Sequence, residues 1–161
     1  SKYIVAILFT LTIVLFLAIT SFLFSYAIFG KGDLIVYIDT LNFFESSDAF
    51  YRIKYAFLFG GISMVFFSVV SLTLAIILEE TTKTWIAAAF FLIISNILLK
   101  VNFSNYFLDN WLYVKLTDTW QYLFYFEIPW NKIYWNTSLI IVYTFITMII
   151  GIVIFNKKDI A

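Results

Sequence analysis

The side chains in this sequence that could do chemistry are few and of few kinds. It has no Cys and no His, which excludes thiolate nucleophiles, disulfides, His-ligated zinc or haem and the imidazole general base. Carboxylates, Lys, Ser and Thr remain, and none stands in a GxSxG, SxxK or phosphate-loop pattern. Gly30-Lys31-Gly32-Asp33 comes nearest to a Gly-rich cradle; its two glycines lack the full spacing and read as a helix end. No catalytic, cofactor-binding or metal-ligating residue is assigned, and the chain is read as a non-enzyme.

The other polar candidates lie inside long apolar runs. They are Ser21 and Ser25, then Ser63, Ser68, Ser71 and Thr73, then Ser95 and Asn96, and last Thr144 and Thr147. Hydroxyls in apolar helices bond back to their own backbone, knit helices together, or line a pathway. Ser63, Ser68, Ser71, Ser95 and Asn96 are the candidates for pathway or helix–helix contacts. Asn96 has four hydrogen-bonding positions to satisfy and is expected to face either another helix or a wet cavity. Small residues, Gly60-Gly61 with Ser63 and Ala87-Ala88-Ala89, allow close backbone approach within the chain or to another subunit. The short polar run Glu79-Glu80-Thr81-Thr82-Lys83 leaves no room for a domain between two spans. It reads as a solvated turn or as a contact made through Glu79, Glu80 and Lys83.

These residues must be positioned by membrane-spanning helices. The chain has 161 residues, 63% hydrophobic, 22% aromatic and 12% charged, against about 45–50% apolar and about 25% charged in a soluble domain. A globule this short could not bury that excess. Ten basic residues balance ten acidic ones, so there is no electrostatic footprint for nucleic acid. Residues 3–30 carry no charge, and at 1.5 Å per residue they reach about 42 Å, more than the about 30 Å of bilayer hydrocarbon. Further spans are predicted over 55–78, 84–103 and 133–155. The third has only 84–99 before Lys100 and is expected to snorkel that lysine and continue through Val101, Asn102 and Phe103. The opening run lacks a basic leader with a small-residue cleavage site and reads as a span rather than a signal peptide; Ser1 reads as a cut edge. The predicted fold is an all-α polytopic membrane protein, a single transmembrane domain over 1–161.

Two loops join these spans on the side away from the termini. Residues 31–54 hold four acids and three bases. Residues 105–126 are dense in aromatics, with Leu108, Trp111, Leu112 and Lys115 at helical spacing, which predicts an interfacial helix, an aromatic belt, or both, ended by Pro129. Asp109, Lys115, Asp118 and Glu127 make a full crossing by this segment costly. By raw count the terminal side carries four bases against six on the loop side. Because those four sit in very short segments, the basic density favours cytoplasmic termini and extracytoplasmic loops. No Asp, Glu, Lys or Arg falls in the middle of a span, which disfavours proton-coupled transport.

The last span and tail, residues 137–143 (TSLIIVY) and 151–160 (GIVIFNKKDI), resemble the C-terminus of the permease subunits of type 2 ABC exporters. Residues 1–6 (SKYIVA) resemble the entry to the third of the six helices in those permeases. The resemblance covers the whole chain in layout and about 25 residues in motif. It implies two further helices and a cytoplasmic coupling segment before Ser1. It also implies a partner ABC ATPase carrying ATP and Mg, which the turn with Glu79, Glu80 and Lys83 would touch, a second permease subunit, membrane lipid around the pair, and a place in the cell membrane. The apolar spans then fit a hydrophobic or amphipathic substrate. The alternative is a complete four-helix accessory subunit of a larger membrane complex, acting through packing alone.

Overall fold

A computed structural model describes residues 2–30, 32–38, 41–101 and 110–158. Helix α1 (Lys2–Phe29) is followed by a hairpin of β1 (Leu34–Tyr37) and β2 (Leu41–Phe44), then by α2 (Ser46–Leu78) and α3 (Thr81–Lys100). A short helix α4 (Tyr113–Thr117), a 3-10 turn (Thr119–Phe124) and the long helix α5 (Trp130–Lys158) complete the chain. The protein is mostly helical, and α1, α2, α3 and α5 are each long and apolar enough to cross a membrane. Lys31, Asp39, Asn102, Phe103 and residues 105–109 lie outside the described residues.

α1 ends as the glycine spacing implies. Gly30 takes a left-handed φ of 66° and its N–H donates to the Tyr26 carbonyl at 2.9 Å, closing the last turn in a conformation that suits a residue without Cβ. The next loop departs from expectation. It forms an antiparallel hairpin with Leu34 opposite Phe44 and Tyr37 opposite Leu41, while residues 46–54 belong to α2 rather than to a connection. Leu34, Val36 and Phe44 on one face of the hairpin pack along Ala49, Ile53 and Ala56 of α2. That contact gives the first turns of α2 an apolar surface to rest on despite Asp48, Arg52 and Lys54.

α2 is the central helix. Phe59, Phe66 and Thr73 recur along it every seven residues, and Ile133, Ile140 and Thr147 do the same along α5. Phe59 clusters with Ile133, Phe66 with Ile140, and Thr73 donates to the Thr147 carbonyl at 3.4 Å. Both helices run from the loop side to the terminal side, and a seven-residue repeat keeps one seam of each facing the other. Leu116 and Leu123, also seven apart, fill the two loop-side layers of this ladder, Leu116 with Phe66 and Ile140, Leu123 with Phe59 and Ile133. Residues 113–124 therefore form a wedge between α2, α3 and α5.

The wedge corrects the expectation of a single interfacial helix. Leu112 has φ −68° and ψ 122°, an extended conformation that breaks the backbone and turns a different set of side chains inward. Val114 and Leu116 are buried whereas Trp111 is exposed, so Trp111, Leu112 and Lys115 do not define the packed face. α3 stops at Lys100 and Val101 is extended; Lys115 reaches over from the wedge and donates to the Leu99 carbonyl at 2.8 Å, a cation on the negative end of the helix.

Candidate functional site

Among the described residues, one cluster of polar contacts stands at each end of the bundle. At the loop end Arg52, only 7% exposed, is a clamp. Its Nε donates to Asp48 Oδ2 at 2.8 Å, its Nη1 donates to the carbonyls of Leu123 at 2.5 Å and Tyr125 at 2.8 Å, and its guanidinium lies 4.1 Å from the Phe44 ring centroid. One planar side chain thus joins α2, the hairpin and the exit of the wedge, a fork geometry that a lysine could not reproduce. Asn42 adds a bond from β2 to the Phe124 carbonyl at 3.3 Å. In the sequence Arg52 counted only as one more loop charge; the signal available was its place four residues after Asp48 on a helical face.

The candidates Ser63 and Ser95 both meet the wedge. Ser63 Oγ donates to the Thr117 carbonyl at 2.9 Å, and Ser95 Oγ shares a hydrogen bond with the Tyr113 hydroxyl at 2.9 Å, while Tyr143 donates to the Trp111 carbonyl at 2.8 Å. Phe66 stands near the middle of the uncharged stretch 55–78, about 18 Å beyond Lys54 at 1.5 Å per residue. Leu116 packs at that level, so the wedge reaches roughly halfway along the uncharged stretch of α2. The Thr117 and Trp111 carbonyls thereby find hydroxyl donors on α2 and α5. Lys115 and Asp118 of the wedge are half-buried. Asp118, outside the four spans, has its carboxyl held above the ordinary aspartate value by burial, partly offset by Gln121, Lys115 and Trp120.

The remaining candidates are not brought into one site. Ser68 and Ser71 are half-buried on α2, and Asn96 is exposed, with its amide donating to the Leu92 carbonyl of its own helix at 3.0 Å. Ala87 and Ala88 are half-buried and Ala89 is exposed. Thr144 and Thr147 bond back to Ile140 and Tyr143. The close helix approach falls at Gly61, where a Cβ would stand 3.3 Å from Val14 of α1.

At the terminal end the turn between α2 and α3 is shorter than its polar run, because Thr81–Lys83 already form the first turn of α3. Glu79 caps α2 at φ 57° and pairs with Lys158 at 2.5 Å. Lys158 also donates to the Ile76 and Ile77 carbonyls at 3.1 and 2.9 Å, tying the end of α5 to the end of α2. Glu80 pairs with Lys83 at 2.6 Å. Nearby, Tyr3 of α1 and Thr73 of α2 share a buried hydrogen bond of 2.9 Å. Gly151 of α5 leaves room for the Tyr3 hydroxyl, which any side chain at 151 would displace. The sequence did not single out Tyr3 or Gly151; an isolated Gly within an apolar run was their only signal.

Among the described residues no three potential metal ligands come together. The fold and its contacts define a helical protein with four candidate spans and a packed loop-side cap. Comparison with protein-family models, curated proteins and solved structures finds no match.

Proposed function

We propose that this chain is a membrane-spanning permease subunit of an ATP-driven ABC exporter, pairing with a second permease half to form the path for a hydrophobic or amphipathic substrate. The observation that carries the reading is the C-terminal motif of residues 151–160 at the end of a span order that matches such permeases. The packing agrees with it. α2, α5 and the wedge fill their shared seam with buried side chains, so a substrate path belongs between two halves or along their faces. α1 and α3 leave large apolar faces open for that purpose. ATP and Mg would be held by the partner ATPase, and this chain would pass on movement without bond chemistry. The termini and the Glu79-Glu80 turn would face the cytoplasm from the cell membrane.

One observation favours the second reading, a four-helix accessory subunit of a larger membrane complex. Glu79 and Glu80 are both engaged by lysines of their own chain, which weakens the case for the turn as an ATPase contact. Purification of the tagged full-length chain from native membranes in mild detergent separates the two. Recovery of a polypeptide with a Walker A motif and ATP hydrolysis by the complex is the result expected of the permease; recovery of membrane-integral partners alone overturns it.

A further inference from the structure

The hairpin has two unlike faces. Leu34, Val36 and Phe44 face α2 and the wedge, and Arg52 lies over the Phe44 ring. The opposite face presents Ile35, Tyr37, Leu41 and Phe43, which are 59%, 78%, 56% and 66% exposed and stand as the cross-strand pairs Ile35–Phe43 and Tyr37–Leu41. That face carries no charge. Asp33 and Glu45 lie just outside the strands at the base, where Asp33 accepts a hydrogen bond from the Ser46 N–H at 3.2 Å. Four large apolar side chains on one face of a two-stranded sheet are an unusual surface to leave in water.

Two markers set the level of this face relative to the spans. The inner face packs along residues 49–56 of α2, and the uncharged stretch of α2 begins at Tyr55, so the hairpin flanks the point where that span would leave the hydrocarbon. Independently, Phe22 of α1 meets Phe50 of α2 with ring centroids 5.3 Å apart. Beyond that contact α1 remains free of charge to Phe29, with Phe24, Ile28 and Phe29 exposed, which puts the level of Phe50 within the apolar reach of α1. Because the sheet lies along the flank of α2, its outer face is directed sideways, toward whatever surrounds the bundle at that level.

We infer that the Ile35, Tyr37, Leu41 and Phe43 face of the hairpin is a lipid-contacting surface, seated at the boundary between headgroups and acyl chains of the loop-side leaflet. Tyr37 suits that boundary, where one end of its ring is apolar and the other wet, and the wholly apolar Ile35, Leu41 and Phe43 suit the acyl chains beneath it. The hairpin then anchors the loop-side cap to the bilayer, and through Phe44 and Arg52 to α2 and the wedge. This inference does not depend on the transporter reading.

The absence of cysteine from the sequence makes the test direct. Ile35→Cys, Tyr37→Cys, Leu41→Cys and Phe43→Cys variants of the full chain are spin-labelled in phosphatidylcholine–phosphatidylglycerol vesicles, and collision with oxygen is compared with collision with a water-soluble nickel chelate. Leu15→Cys on the exposed side of α1 supplies the lipid reference, Gly32→Cys the water reference, and Val36→Cys the protein-covered reference. The expected result is an oxygen-to-nickel ratio at all four positions shifted above Gly32 toward Leu15. A ratio like that at Gly32 places the face in water and overturns the inference. Protection from both reagents, as at Val36, shows that a second copy or another protein covers the face and overturns it equally. All four substitutions fall at exposed positions, and a monodisperse elution profile with helical circular dichroism confirms that the labelled chains are folded.

Discussion

Arg52 holds a charge in a site where water barely reaches, and its environment explains why it remains there. Three backbone or carboxylate oxygens and the Phe44 ring surround the guanidinium, and hydrogen bonds to charged groups contribute about 1.5–3 kcal/mol each. Arg52→Met leaves the Leu123 and Tyr125 carbonyls without their donor and is expected to lower stability by about 3 kcal/mol, read from unfolding in mixed micelles. Arg52→Lys should recover only part of this, since an ammonium cannot span the same oxygens. Asp118 presents the opposite case. Its folded-state pKa is raised, chiefly by burial, so the folded chain binds the proton more tightly than the unfolded one. Stability is therefore greatest below the unfolded value and falls as pH rises through the window up to the folded value. Asp118→Asn keeps the shape and removes the charge; it should raise the melting temperature at neutral pH and flatten the acid side of the stability profile. Neither residue could be ranked from the sequence. A loop arginine and a loop aspartate look alike in a charge count, and only the fold reveals that the wedge buries one and covers the other.

The wedge and the hairpin are where local pattern and tertiary structure part. The long helices α1, α2 and α5 were legible because uncharged apolar runs as long as residues 3–30, 55–78 and 133–155 require no tertiary context to be read. Pro129 and Gly30 also stand where their backbone restrictions place them, one ahead of α5 and the other after α1. The strands were not legible. LIVY and LNFF are only four residues each, set among acids in a segment that reads as a loop, and the inward face of the hairpin is defined by α2 rather than by its own sequence. The packed face of the wedge was not legible either: Trp111, Leu112 and Lys115 share a helical period, whereas the chain breaks at Leu112 and buries Val114, Leu116 and Leu123 instead. Leu123 has no exposed surface and sits in the outer layer of the α2–α5 ladder. Leu123→Ala is expected to cost about 2–5 kcal/mol, the usual range for a buried Leu truncated to Ala. Phe126→Ala, at an open position three residues later, should change stability by less than about 0.5 kcal/mol. Equal losses in paired unfolding curves would mean that the wedge is not packed between the helices.

At the scale of the molecule, contacts at both ends of one parallel helix pair hold the bundle. On the terminal side Lys158 ties α5 to α2, and Tyr3 with Thr73 draws in α1. On the loop side Arg52 and the wedge lock the hairpin to α2, and the wedge itself packs against both helices. The outer faces of α1 and α3 stay open. The central claim is that four helices cross and that residues 110–129 return to the side they entered from, so that Glu127 shares a side with Gly32 while Lys83 and Lys157 share the other. Single cysteines at these four positions, in a chain that has none of its own, can be labelled by a membrane-impermeant maleimide in sealed vesicles of one orientation. The account predicts that positions 32 and 127 label together and that 83 and 157 become accessible only when the vesicles are opened. Labelling of 127 together with 83 and 157, apart from 32, would mean that the wedge crosses the membrane and would contradict it.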